Sequence, residues 1–124
     1  MSDLRECVLV VDDQALIADL WCIVLEDMGL DVCGTAPTAS AAIEMARQHR
    51  PKVIIMDVRL RGELDGVDAA LAIHQSLGSR VIFVTGSSEP ETLARIGLAR
   101  SSAVLFKPVS NRQFQSAVRE ALSC

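Results

Sequence analysis

The sequence predicts an α/β fold, a parallel sheet covered by helices on both faces. Residues 7–11, 53–56, 81–84 and 103–106 are almost wholly apolar runs of strand length, which read as strands buried on both faces. The stretches between such runs carry apolar residues at helical spacing, so strand and helix alternate along the chain. Alternation of that kind implies parallel strands joined by right-handed crossovers.

Each element has its own grounds. The first strand, residues 7–11, ends in the acidic pair Asp12 and Asp13. From 14 to 28 a helix is expected, with Ile17, Leu20, Trp21, Val24 and Met28 as its buried stripe and Gly29 closing it. Residues 31–36 make a second, short strand, and Thr38 caps a helix reaching about His49. Pro51 stands ahead of the third strand, whose run of Val53, Ile54, Ile55 and Met56 delivers Asp57 to the sheet edge. Residues 58–66, with two glycines and mixed charges, read as a loop. A helix over about 67–77 follows, ended by Gly78. The fourth strand, 80–85, finishes at Thr85, and Pro90 suits the first turn of a helix running to about Ala99. The fifth strand, 103–107, ends in Lys107 with Pro108 behind it. Ser110 and Gln113 have the spacing of a capping box that opens the last helix.

Composition narrows the function. A chain of 124 residues, half of them hydrophobic, suits one domain with a proper core, and residues 1–124 are read as that single unit. A net charge of −4 provides no basic stripe for nucleic acid. No apolar run approaches membrane-spanning length, and the first residues lack the shape of a signal peptide, so a cytoplasmic protein with no membrane partner is expected. The cysteines Cys7, Cys22, Cys33 and Cys124 show no ligand spacing and are expected to be reduced, with Cys7 and Cys33 acting as small core hydrophobes. Both histidines, His49 and His74, are left as structural.

Because all strands point the same way, Asp12, Asp13, Asp57, Thr85 and Lys107 converge at one sheet edge, where open α/β sheets bind their ligands. Crowded carboxylates repel one another unless a cation intervenes, and an all-oxygen site suits Mg²⁺. A lysine opposite supplies positive charge for an incoming anion, and a threonine supplies a donor. Nucleophile, metal and charge stabilisation together are the equipment for phosphoryl transfer to a carboxylate. Taken singly, each residue has an ordinary explanation: a helix cap for Asp12 or Asp13, a strand end for Thr85, a solvated edge for Lys107. Five such residues at matching strand ends are a more specific signal.

The paired acids after the first strand, the acid after the third, the threonine after the fourth and the Lys107–Pro108 pair resemble the receiver domain of two-component response regulators, over essentially the whole chain. The resemblance implies a flavodoxin-like, doubly wound fold with strand order 2-1-3-4-5. It implies a phosphoacceptor in a two-component or phosphorelay system, a phosphorylated signalling protein rather than an enzyme with turnover. Asp57 would take the phosphoryl group from a histidine kinase or histidine phosphotransferase, and Asp12, Asp13, Asp57 and the Arg59 carbonyl would hold Mg²⁺. Thr85 and Lys107 would contact the phosphoryl oxygens, and the Lys107–Pro108 peptide would be cis. The output would be a contact with a downstream protein.

Two rivals share parts of this equipment. A haloacid-dehalogenase phosphatase also uses a phosphoaspartate with Mg²⁺, but its nucleophile ends the first strand and has a second acid two residues on; here Arg59 follows Asp57 at that distance. A flavodoxin-type flavin binder needs a hydroxyl-rich loop after the first strand and flanking aromatics, whereas this chain has an acidic pair there, no Tyr and one Trp.

The sequence also departs from the receiver pattern. The loop over 59–66 is one residue longer than in chemotaxis receivers and lacks their proline. Arg59 and Ser87 stand two residues after Asp57 and Thr85, where the family tunes phosphate loss, and Arg59 cannot serve as a base for water. Val104 replaces the customary aromatic three residues before Lys107. The first helix carries surplus apolar residues, Leu16 and Ile23, which with the Pro108–Val109 turn mark an expected docking face for the phosphodonor.

Overall fold

The computed structural model describes residues 4–99, 101 and 103–123. Cys124 and the first three residues, on which the leader reading partly rests, lie outside that description. The chain runs β1 (Arg5–Val11), α1 (Ala15–Asp27), β2 (Asp31–Ala36), α2 (Ala39–His49), β3 (Pro51–Asp57), α3 (Gly66–Ser76), β4 (Arg80–Thr85), α4 (Pro90–Leu98), β5 (Ala103–Phe106) and α5 (Asn111–Ser123). The strands form one parallel sheet of order β2-β1-β3-β4-β5, the doubly wound, flavodoxin-like arrangement.

Side chains alternate along each strand, so the sheet has two apolar faces. Leu9, Val11, Ile54, Met56 and Phe83 meet α2 and α3, with Ile96 of α4. Val8, Val10, Val53, Ile55, Ile82 and Val84 meet α1 and α5. On that second face Trp21 of α1 stacks on Phe114 of α5, ring centroids 4.1 Å apart and planes 10° from parallel.

The helix ends follow local chemistry. Thr38 accepts from the Ala41 amide at 3.1 Å. Ser110 and Gln113 close their capping box, each accepting from the other's backbone amide. Gly29, at φ +81°, supplies the left-handed turn that ends α1, and its amide donates to Glu26 O.

Four expectations need correction. α3 begins at Gly66 rather than Val67, because Asp65 and Asp68 form a reciprocal capping box one residue earlier. Pro51 is the first residue of β3 rather than a break before it, a position where a missing N–H costs no interior ladder bond. Lys107 lies just beyond β5, which stops at Phe106. Leu20 is 50% exposed rather than part of the buried stripe of α1. Helical spacing puts Ala18, Trp21, Leu25 and Met28 on the side that packs inward, which turns Leu16, Leu20 and Ile23 outward together. Of the cysteines, Cys33 is half-buried and packs against the α2–α3 side of the core. Burial, with Cys7 beside it, pushes its thiol up to about 12.

Candidate functional site

The sheet edge gathers the expected residues because β1, β3, β4 and β5 end there in parallel. Asp12 follows β1 and its amide donates to Ala36 O of β2 at 3.1 Å, which fixes the edge of the site. Asp57 closes β3. Asp12 and Asp57 are each 6% exposed, and Asp13 is half-buried. Carboxylate oxygens of Asp12, Asp13 and Asp57 lie within 4.8 Å of one another. Neither Asp12 nor Asp13 is the N-cap of α1. That position belongs to Gln14, whose side chain makes no cap bond, while its backbone amide donates to Asp12 Oδ1 at 2.9 Å.

The Asp57 carboxyl is held from both sides. Lys107 Nζ donates to Oδ2 at 3.2 Å, and the Arg59 amide donates to Oδ1 at 3.3 Å. Burial pushes this carboxyl above the ordinary aspartate range. Lys107 opposes that rise, and the neighbouring Asp12 adds to it. The Lys107 amide in turn donates to Thr85 O at 2.9 Å, tying the end of β5 to the end of β4, and the Lys107–Pro108 peptide is cis. Thr85 is 2% exposed. Its hydroxyl accepts from the Ser87 amide at 3.0 Å and lies 3.4 Å from Ser87 O, so it is engaged by its own loop.

Arg61 approaches the cluster from the loop after β3, with Nε 3.8 Å from Asp13 Oδ2. The loop itself is closed by the Gly66 amide, which donates to Val58 O at 2.7 Å. Gly66 also explains why a glycine must stand there: a Cβ would overlap the Asp57 carbonyl oxygen. Beyond it, Asp65 and Asp68 bind Arg95 of α4. Arg95 Nη1 donates to Asp65 Oδ2 at 2.6 Å, and Nη2 donates to Asp65 Oδ1 and to Asp68 Oδ1, both at 3.1 Å. Sequence reading missed this group. An acid three residues before another acid, ahead of an apolar run, was a visible cap signal. The pairing with Arg95, 30 residues away, carried no local signal.

A groove is lined by Ile17, Leu20, Trp21 and Ile23 of α1 together with Val109 and Asn111. No helix among the described residues is long and apolar enough to cross a membrane.

The comparisons with known proteins agree with this fold. A family model described as "Response regulator receiver domain" matches residues 8–119. The transcriptional regulatory protein PdtaR of Mycobacterium tuberculosis is 32% identical over 116 residues, which are 94% of this chain and 56% of that protein. The signal receiver domain of a modulated diguanylate cyclase from Desulfovibrio desulfuricans superposes with a TM-score of 0.88 at 32% identity, covering 98% of this chain and 95% of that one. A CheY-like receiver domain protein from Methanospirillum hungatei gives a TM-score of 0.87 at 26% identity, covering 98% and 95%. The chain spans about half the length of the curated relatives PdtaR and MtrA, the latter named a DNA-binding response regulator. With its match to the family model running nearly end to end, the chain belongs to the response regulator receiver domain family.

Proposed function

We propose that Asp57 is the phosphoacceptor of this receiver domain, charged by a phosphohistidine on a kinase or phosphotransferase. The observation that carries the reading is the Asp57 carboxyl itself, buried at the sheet edge between Lys107 and the Arg59 amide with two further carboxylates beside it.

The donor set fits a hard cation. Three carboxylate oxygens within 4.8 Å, with no thiolate or imidazole among them, suit Mg²⁺ rather than a softer metal. Asp12, Asp13 and Asp57 would hold it, with the Arg59 carbonyl as the further ligand that the family resemblance implies. When bound, the ion neutralises the carboxylate cluster and draws charge from the phosphoryl oxygens.

In the transfer, an Asp57 carboxylate oxygen forms the new O–P bond while the N–P bond of the donor phosphohistidine breaks. The bonding pair stays on the imidazole nitrogen, which takes up a proton. Lys107 is already within hydrogen-bonding range of Asp57 and can follow the negative charge onto the phosphoryl oxygens. Thr85 donates to those oxygens once its hydroxyl leaves Ser87. The phosphodonor docks on the exposed side of α1, because that helix starts beside Asp12 and Asp13 and its outward stripe leads from the site. The phosphorylated protein then acts through contact with another protein.

Asp57→Asn is expected to abolish labelling by acetyl phosphate or by a phosphohistidine donor. Chelation of Mg²⁺ is expected to do the same to the unaltered protein. Stoichiometric label persisting in the Asn variant would remove Asp57 from this role.

A further inference from the structure

The fold offers a route by which α4 and the phosphoacceptor strand feel one another. α4 is a lightly held helix. Ile96 is its one fully buried side chain, and its N-cap residue, Glu89, makes no side-chain cap bond. Its best-defined polar attachment is Arg95, which puts a two-pronged guanidinium on Asp65 and a third hydrogen bond on Asp68. An isolated surface ion pair contributes little to stability. This one differs in geometry, being bidentate, half-screened from solvent and directed at a carboxylate that is itself fixed by a capping box.

What Arg95 grips is not the middle of α3 but its first turn. Asp65 precedes Gly66, whose amide is bonded to Val58 O and whose Cα lies so close to the Asp57 carbonyl that no side chain fits. Arg95, Asp65, Gly66 and the Asp57–Val58 backbone are therefore one continuous set of contacts. Burial of Asp65 works against its charge, yet Arg95 and the Asp68 amide outweigh that and hold its carboxyl below the usual range, so the pair is ionised at neutral pH. The set belongs to an arrangement in which the Thr85 hydroxyl is bound to Ser87 rather than offered to a phosphoryl group.

We propose that Arg95 is a positioning residue for the phosphoacceptor loop: through the Asp65–Asp68 capping box it locks α4 to the backbone beside Asp57 and holds the domain in its unphosphorylated arrangement. This rests on the receiver reading and names the regulation of that same site. Because coupling is reciprocal, a lock that opposes displacement of α4 also opposes occupancy of the phosphoryl position.

The test is titration of the full chain with beryllofluoride and Mg²⁺, followed by backbone amide resonances. Arg95→Met keeps the aliphatic stem and removes the fork. It is expected to bind beryllofluoride about fivefold more tightly or better, the lower edge of ordinary coupling strengths. Arg95→Lys, a point charge without the fork, is expected to fall between. Asp65→Asn retains a good cap residue but loses the charge, and should tighten binding similarly. The double variant Arg95→Met with Asp65→Asn should match the single variants instead of adding to them. A purely structural Arg95 would lower the thermal midpoint and leave beryllofluoride affinity unchanged, which would overturn the proposal, as would full additivity in the double variant. Failure of the unaltered protein to bind beryllofluoride, or binding that survives Asp57→Asn, would overturn the phosphoacceptor reading of Asp57 instead.

Discussion

At the scale of single residues, the two oxygens of Asp57 are treated differently. One faces a side-chain cation, Lys107, with 43% of its side chain exposed; the other faces a backbone amide, that of Arg59. The Arg59 side chain itself is exposed. A guanidinium has donors and no acceptor, so Arg59 offers no base for water attacking the phosphoryl group. Its bulk and positive charge, two residues from Asp57, are expected to shield the phosphoryl group. Arg59→Asn is therefore expected to shorten the lifetime of the phosphoprotein severalfold, read as inorganic phosphate released from isolated, labelled protein. A lifetime that does not shorten would show that Arg59 shields nothing. Asp12, Asp57, Thr85 and Lys107 were legible in the sequence for a simple reason: each interrupts a run of apolar residues at the point where a buried strand must emerge. Arg95 was not, because its meaning lies in a partner 30 residues away on another helix, and an arginine on a short amphipathic helix has many ordinary uses.

At the scale of elements, α1 shows what periodicity can and cannot decide. Its length and its end at Gly29 followed from spacing and from the left-handed backbone that glycine takes there. Its orientation followed in most positions: Trp21, Val24 and Met28 pack inward as expected, whereas Leu20 turns outward with Leu16 and Ile23. The stacking of Trp21 on Phe114 and the burial of Leu25 choose the inward stripe, leaving Leu16 at 72% and Ile23 at 55% exposed. Contiguous apolar surface of this kind marks an interaction site more often than a scattered leucine does. Leu16→Glu is expected to cut phosphotransfer from the protein phosphodonor by about tenfold, the effect of roughly 1.4 kcal/mol lost from one interface anchor. Labelling by acetyl phosphate, which needs no docking, should stay unchanged. Equal rates from the protein donor before and after substitution would place the docking face elsewhere. Asp65 teaches the complementary lesson at the start of α3: a cap made by an acid is visible once the three-residue spacing is weighed, whereas two glycines in the same stretch drew it towards a loop.

At the scale of the whole molecule, the question is how a group bound at Asp57 reaches a distant surface. The order of strands and the two-faced core were legible because alternating buried strands and helices leave few alternatives. The switch was not, since Val104 stands where the family carries an aromatic, and a valine is too small and too restricted at χ1 to swing between pockets. In the structure Val104 is half-buried against the α2–α3 side of the core, with no bulk to vacate. The part expected to move is instead the segment after β4. The Thr85 hydroxyl binds Ser87, and a phosphoryl oxygen competing for that hydroxyl is expected to release the Ser87 amide and free the loop from Gly86 to the start of α4. A ligand shifts such an equilibrium only through contacts that differ between the two states, and the Thr85–phosphoryl hydrogen bond is one. Beryllofluoride with Mg²⁺ is therefore expected to move backbone amide signals from Gly86 through Ala99, well beyond the immediate surroundings of Asp57. Thr85→Ala, which has no hydroxyl to withdraw, should still bind the mimic but leave the α4 signals near their resting positions. Shifts confined to the neighbours of Asp57, or α4 shifts of full size in Thr85→Ala, would mean that the signal leaves the site by another path.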